Sequence, residues 1–317
     1  MSNLSIIIPH YNSPVKLKRL LKSIPSTEGI EVIVVDDRSN KDLAIYNRIK
    51  KDYQDKDWLF LENYSVNKGA GACRNIGLKQ AKGRWVLFAD ADDYFTDSFH
   101  HKISTYFNSD LHVVFFCSTS WDDFKDHVSD RHKQYNDLIH RYNPDFEESV
   151  LSLKYRFMVP WSKLIKRDFI TQNAIHFDEV IASNDNMFSI KVAYHIEKYV
   201  VSREVIYCVT KDSGTLTQNI SREVFRTRLS VFIDRVIFLR EHLNKKQFKY
   251  LNHNGTAFLL NVIKFRLGIK EFMRTVRLLR VGRVKLIDSR FYNPWFTIKK
   301  FHVYYQYQKT DKDYKTK

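Results

Sequence analysis

"LSIIIPHYNSPVKLKRLLKSI", residues 4–24, holds a complete strand-to-helix step. An unbroken apolar run ends at Pro9 and polar neighbours, as strands buried on both faces do. Ser13 then stands at a capping position and Pro14 at a first helical one. Leu17, Leu20, Leu21 and Ile24 follow at i, i+3, i+4 and i+7, the stripe of an amphipathic helix. The same alternation recurs downstream. "EVIVVDD" (31–37), "DWLFLE" (57–62), "RWVLFA" (84–89) and "LHVVFFC" (111–117) read as further strands, with a helical stretch over about 69–82. Strand–helix–strand repetition predicts an α/β chain with a mostly parallel sheet and helices on both faces. Ligands of such sheets bind at the carboxyl ends of strands. Asp36, Asp37, Asp90, Asp92 and Asp93 all fall there.

Beyond that point the pattern loosens. Residues 118 to about 155 are rich in Asp, His, Lys and Tyr and poorly periodic, which predicts a loop-rich excursion. Regular structure returns between "VPWSKLIKRDFI" and "YVVSREVIYCV". From 221 the chain is helical, with Phe225, Leu229, Phe232, Val236 and Leu243 along one face, and the closing "KTDKDYKTK" reads as a frayed tail. A length of 317 residues, 44% of them apolar, suits one folded domain plus an appendage and excludes a disordered chain. No apolar stretch reaches the roughly 18 residues of a membrane span, and the N-terminus lacks the basic region of a signal peptide. Cys73, Cys117 and Cys208 are odd in number and far apart, which argues against a disulfide framework or zinc site and predicts a cytoplasmic protein.

"FADADD" (88–93) gathers three carboxylates at a strand end, where they repel one another. One reading places a divalent cation among them, since Mg²⁺ and Mn²⁺ take oxygen ligands and complete their shells with phosphate and water. The other is an acidic turn capping a helix that starts near 97. Two further stretches bear on the choice. "VVDDRS" (34–39) ends an earlier strand in two carboxylates suited to a base or ribose. "NKGAGACRNIG" (67–77) sets Gly69, Gly71 and Gly77 at a helix start with Arg74 one turn in, which permits close backbone approach and brings a cation to phosphate.

In order and spacing these segments resemble glycosyltransferase family 2, inverting nucleotide-sugar enzymes of the Rossmann-like GT-A fold. "SIIIPHYN" stands for P-x-Y-N, "VVDDRS" for V-D-D-G-S, "NKGAGACRNIG" for N-x-G-x-x-x-A-R-N-x-G and "FADADD" for D-x-D-D. "WSKLIKRDFI" stands for the W-N-K-L segment and "HFDEVIASNDNMF" for F-x-E-x-x-x-x-E-D-x-x-F. The likeness covers about residues 1–217. It implies a catalytic domain over 1–217, with a nucleotide-binding half (1–117) and an acceptor-binding half (118–217), followed by a helical, basic region (218–317).

The resemblance implies that Pro9, Tyr11, Asn12, Asp36, Asp37, Asn67, Gly69, Arg74, Asp90 and Ala91 surround the nucleotide. Asp90 and Asp92 would hold Mn²⁺ or Mg²⁺, and Asp185 would be the catalytic base. Asp93, Trp161, Asn184 and Lys211 are candidates for acceptor or diphosphate contact. Lys211, with Ser213 and Thr217, reads equally as a diphosphate lid or an ordinary loop. Asp185 follows Ser183, a good helix cap, and a first-turn position favours the ionised carboxylate. That keeps it charged but makes it a weaker base. Three residues depart from the family pattern: Asn184 for a glutamate, Arg38 for a glycine and Cys73 for an alanine. The first bears on the acceptor. The implied activity is transfer from a nucleotide sugar, a UDP sugar foremost, to a glycan on a polyprenyl diphosphate lipid in surface polysaccharide synthesis.

The formal charge of +16 is concentrated in residues 260–317, which hold 15 Lys/Arg against 4 Asp/Glu. On a continuous helix of about 100° per residue, Arg266, Lys270, Arg274, Arg277 and Arg280 share one arc. Phe265, Ile269, Phe272, Val276 and Leu279 share its neighbour, a pattern that predicts peripheral contact with the inner face of the plasma membrane. Trp295, Tyr304, Tyr305 and Tyr307 would add interfacial anchors. A nucleic-acid binder is disfavoured, because acidic strand ends repel phosphate without metal and no reading motif accompanies the cations. A dehydrogenase would show G-x-G-x-x-G after the first strand, and a nucleotidyltransferase a glycine-rich basic loop there; "PHYNSP" has neither.

Overall fold

The computed structural model describes residues 2–56, 58–66, 69–211, 221–293 and 295. The chain divides into two compact units, residues 1–231 and 232–317. The first unit begins β1 (Leu4–His10), α1 (Pro14–Lys22), β2 (Ile30–Asp36), α2 (Leu43–Asp52), β3 (Trp58–Glu62), α3 (Ala70–Gln80) and β4 (Trp85–Phe88). It continues β5 (Tyr94–Phe95), α4 (Phe99–Ser104), β6 (Val113–Asp122), β7 (His127–Val128), α5 (Lys133–His140) and α6 (Glu147–Arg156). Then come β8 (Lys163–Lys166), α7 (Arg167–Gln172), α8 (Asn186–His195), β9 (Tyr199–Lys211) and the start of α9 (Arg222–His242).

One sheet runs in the order β3-β2-β1-β4-β8-β6-β9-β5, with β7 paired to β6. The pairs among β1, β2, β3 and β4 are parallel. Beyond β4 the sheet is mixed, since β8 runs antiparallel to both β4 and β6 while β6 and β9 are parallel. Both faces are covered: Ile6, Ile8, Val32, Val34 and Leu87 join one apolar cluster, and Ile7, Ile33, Val35, Val86 and Phe88 the other. Side chains alternate faces with period 2, so burial of both faces is what makes the strand sequences unbroken apolar runs. Pro9 lies past the last β1–β4 register pair, Ile7 with Phe88. The order of strands reverses around β1, the kind of switch point where open α/β sheets place ligands.

The stretch 118–155 is more regular than its composition predicts. β6 extends to Asp122, and α5 and α6 are helices whose buried positions are few: Ile139 on α5, and Leu151, Leu153 and Tyr155 on α6. Sparse burial on short helices leaves too weak a stripe to stand out against polar neighbours.

The second unit holds the end of α9, then α10 (Lys245–Leu251), α11 (Thr256–Lys264) and α12 (Ile269–Val281). The continuous basic helix expected over 265–280 is corrected here. Phe265 ends α11, and Gly268, at φ +92°, precedes α12. The faces also differ from the expected arcs. Glu271, Thr275 and Leu279 are buried, whereas Ile269, Met273 and Val281 stand exposed beside Lys270, Arg274, Arg277 and Arg280. Among the described residues no helix is long and apolar enough to cross a membrane. Tyr304, Tyr305, Tyr307 and the closing tail lie outside the described residues; Trp295 is exposed.

Candidate active site

At the ends of β1 and β2, His10 is buried with its ring stacked on Tyr46. Its Nδ1 lies 2.6 Å from Asp36, and its Nε2 accepts from the Ser13 amide at 3.2 Å. Those partners fix the Nδ1–H tautomer. Burial works against ionisation of Asp36, but hydrogen bonds from His10 and from the Ser39 hydroxyl and amide more than offset it, holding the carboxyl below its ordinary range. Both Asp36 oxygens are therefore committed within the protein. Asn12 is committed likewise: its side chain bonds Asn40 and Lys41, and its amide donates to Ser39. These two residues shape the loop at 39–41. Tyr11 alone projects, 56% exposed, while Pro9 is buried within β1.

Asp37 accepts from Asn63 and from the Gly69 amide, both at 2.7 Å. Gly69 has φ +102°, a conformation that only glycine adopts without strain, and it opens α3. Gly71 follows where a Cβ would fall 2.1 Å from the Asp178 carbonyl oxygen. Glycine thus lets the first turn of α3 press directly on the segment 178–184. Asn75 locks that contact, accepting from the Phe177 amide and donating to the Phe177 carbonyl and Glu179. Asn67 lies outside the described residues.

Arg74 is buried, over the Phe177 ring, and donates to Asp90 at 2.5 Å and to Asn184 at 2.9 Å. One guanidinium thereby joins the end of β4 to the segment before α8. The buried Ala91 separates Asp90 from Asp92. The Asp92 carboxyl is pushed above its ordinary range by burial and by the charge of Asp90, with Lys16 and Arg131 opposing. The Asp92 carbonyl is held by Arg19 and Thr210. The acidic turn does not cap the following helix, because α4 begins after Ser98.

Asp93 turns the other way, which corrects its candidacy as a ligand contact. It is 2% exposed, accepts from the Thr210 amide and from the Tyr207 hydroxyl, and burial pushes its carboxyl well above the ordinary range. Tyr207 also accepts from the Asp90 amide at 2.8 Å, so the pair seats the acidic turn on β9. Trp161 is buried against Tyr207 and Tyr135, a wall behind the site. Lys211 faces Asp122 at 3.4 Å; Ser213 and Thr217 lie outside the described residues.

Asp185 is itself the residue before α8, and its side chain caps nothing. Ser183 instead takes a left-handed conformation, which corrects its expected capping role. Burial pushes the Asp185 carboxyl above its ordinary range; Arg74 and Lys163 oppose that and Asp90 adds to it. The helix end is thus outweighed by desolvation, and the carboxyl is a better proton acceptor than a solvated aspartate. Asn63, Asn75, Tyr207 and Lys163 were not singled out from sequence. Asn75 and Lys163 lie inside the matched R-N and W-x-K-L segments, which was the available signal.

Among the described residues, no three His, Cys, Asp or Glu side chains form a ready-made cage for a metal. The donor set nevertheless fits a hard cation: Asp90 and Asp92 repel one another, burial adds to the cost on Asp92, and Mg²⁺ or Mn²⁺ needs only one or two protein carboxylates. Cys73, Cys117 and Cys208 are buried free thiols, with Cys73 pushed up to about 12 by burial and by Asp37.

The family model described as Glycosyl transferase family 2 matches residues 5–172. The putative glycosyltransferase EpsH of Bacillus subtilis (strain 168) is 23% identical over 269 residues, 81% of this chain and 74% of its own. The poly(ribitol-phosphate) beta-N-acetylglucosaminyltransferase TarS of Staphylococcus aureus (strain MW2) is 28% identical over 68% of this chain, which spans 36% of that relative. The crystal structure of S. aureus TarS 1–349 with UDP-GlcNAc superposes with TM-score 0.69 at 21% identity, covering 88% of this chain and 80% of that one. The mannosyltransferase PcManGT of Pyrobaculum calidifontis, solved with GDP-Man and Mn²⁺, does so with TM-score 0.54 at 14% identity, over 95% of this chain and 84% of that one.

Proposed function

The chain belongs to glycosyl transferase family 2, and from that premise we propose that it moves a sugar from a nucleoside-diphosphate sugar, a UDP sugar foremost, to a hydroxyl of a glycan acceptor with inversion at the anomeric carbon. The observation that carries this reading is the Arg74 bridge, which draws the acidic turn and the segment bearing Asp185 to one place.

Inversion needs the leaving diphosphate and the attacking hydroxyl on opposite sides of the anomeric carbon. Tyr11 offers its exposed ring to the base, and Asp37, set by Asn63 and Gly69, offers its carboxylate edge. Asp92 with Asp90 would hold Mg²⁺ or Mn²⁺, which when bound neutralises charge developing on the diphosphate. Arg74 holds Asp90 in place. Asp185 takes the proton of the acceptor hydroxyl as its oxygen bonds to the anomeric carbon and the bond to diphosphate breaks. The raised affinity of Asp185 for a proton suits that role.

The acceptor is a glycan of surface polysaccharide synthesis carried on a polyprenyl diphosphate. Support comes from α12, where Ile269, Met273 and Val281 are exposed among Lys270, Arg274, Arg277 and Arg280. Such a face suits the headgroup region of an anionic bilayer at the inner plasma membrane, each cation contributing about 1 kcal/mol.

The deciding experiment is release of UDP or GDP from a panel of nucleotide sugars, with and without Mn²⁺, by the native chain and Asp92→Ala. Metal-dependent release lost in the variant is the expected result. Metal-dependent turnover that survives the substitution would remove Asp92 from the site.

A further inference from the structure

Lys163 opens β8 with its side chain wholly inside the protein, 2% exposed. A lysine is rarely buried without a carboxylate bonded to it, and among the described residues none bonds this one. Nζ donates to the Phe157 carbonyl at 2.7 Å and to the Ser189 hydroxyl at 3.3 Å, with the rings of Phe157 and Phe115 at 5.0 and 5.8 Å. The Ser189 hydroxyl in turn donates to the Met158 carbonyl at 2.8 Å. Its amide closes the first turn of α8 on the Asp185 carbonyl at 2.9 Å. The lysine and the serine therefore tie three segments together: the start of β8, the turn after α6, and the turn of α8 that begins at Asp185.

We propose that Lys163 is a positioning residue for the transfer reaction, fixing the first turn of α8 and setting a cation against the turn that begins at Asp185. The inference rests on Asp185 being the base. Geometry supports it twice over. A neutral side chain of the same length would fill the space and satisfy hydrophobic packing, so the charge has no packing role. The tie reaches α8 one turn from Asp185, where a small rotation would swing that carboxylate away from an acceptor hydroxyl. Burial pushes the ammonium down to about 7, and the attraction of Asp185 opposes that fall. The groups that face Asp185 are Arg74 from α3, Asp90 after β4, Tyr135 from α5 and Lys163 from β8. Removing Lys163 deletes one of two cations that hold the carboxylate ionised, so its affinity for protons must rise.

The test uses Lys163→Met and Ser189→Ala in the full chain, with kcat, donor KM and melting temperature measured across pH. For Lys163→Met the expected result is a kcat at least tenfold lower, an unchanged donor KM, and an acid limb of the kcat profile shifted to higher pH. An acid limb at its native position, with kcat lowered only as far as folded protein is lost, overturns the proposal. Ser189→Ala keeps the charge and removes the tie: kcat falls severalfold while the acid limb and donor KM stay put, and a native kcat there overturns the positioning role even where Lys163→Met does not fold. Asp185→Asn separates the two readings. Transfer surviving in that variant refutes the base assignment itself, whatever the lysine variant does.

Discussion

Arg74 and Asp90 meet at 2.5 Å with the arginine 5% exposed and the aspartate 34% exposed, so one partner anchors the pair from inside and the other is partly open to solvent. The second arm of the same guanidinium reaches Asn184 at 2.9 Å. Two separate nitrogens of a planar fork hold the two partners, a spacing that the single nitrogen of a lysine does not reproduce.

Arg74→Lys is therefore expected to keep the fold and lose about a hundredfold in kcat, because one ammonium nitrogen does not match the spacing of the two guanidinium nitrogens that hold Asp90 and Asn184. Circular dichroism paired with nucleotide-release kinetics checks it. Transfer within threefold of native would show that the bridge is dispensable.

Activity should fall with acidification above the ordinary aspartate range. Asp185 must be ionised to take a proton, and burial raises the pH at which it ionises. The plot of log kcat against pH then descends on its acid side, and Asp185→Asn lowers transfer at every pH by a factor on the order of a thousand while donor binding persists. Calorimetric titration of the nucleotide into the variant reads the binding half.

Gly71→Ala tests the contact between α3 and the 178–184 segment. A Cβ at 2.1 Å from a backbone oxygen must displace backbone, since no flexible side-chain end is there to yield. The expected loss is about 2 kcal/mol or more of stability, with transfer reduced further than the folded fraction accounts for. Chemical denaturation alongside kinetics separates the two.

His10→Phe preserves a ring against Tyr46 and removes the bonds to Asp36 and the Ser13 amide. The cost should be about 2 kcal/mol for buried polar partners left unpaired. Asp36 has a lowered folded affinity for protons, so its contribution is present above the unfolded carboxylate range near 4 and is lost as pH falls through its folded value. Melting temperature against pH should consequently drop more steeply on the acid side for the native chain than for the variant.

The parallel half of the fold was legible because β1, β2 and β4 are buried on both faces and announce themselves as apolar runs. The carboxylates at their ends could be found for the same reason. Which way those carboxylates point was not legible. Asp92 and Asp93 are neighbours of identical chemistry, yet Thr210 and Tyr207 on β9, more than a hundred residues later, claim one of them. The internal partners of Asp36 and Asn12 were only partly legible: Ser39 lies three residues from Asp36, whereas His10 and Asn40 are more than twenty residues away from the side chains they bond. The expected basic helix is broken between α11 and α12, where Arg266 and Gly268 both have positive φ, so Phe265 and Arg266 share no helical phase with the residues of α12. Within α12 the buried face is chosen by packing and not by side-chain polarity, since Glu271 is buried and Ile269 exposed.

The first turn of α3 touches Asp37 through the Gly69 amide and the Asp178 carbonyl region through Gly71. On the proposed reading, donor and acceptor recognition thus share one short piece of backbone. Variation that retunes the choice of sugar nucleotide would then drag the geometry of the hydroxyl being glycosylated along with it. In a mutational library, substitutions around Asp37 and around 178–184 should show strong epistasis, and new specificities should arise as co-selected pairs rather than one at a time.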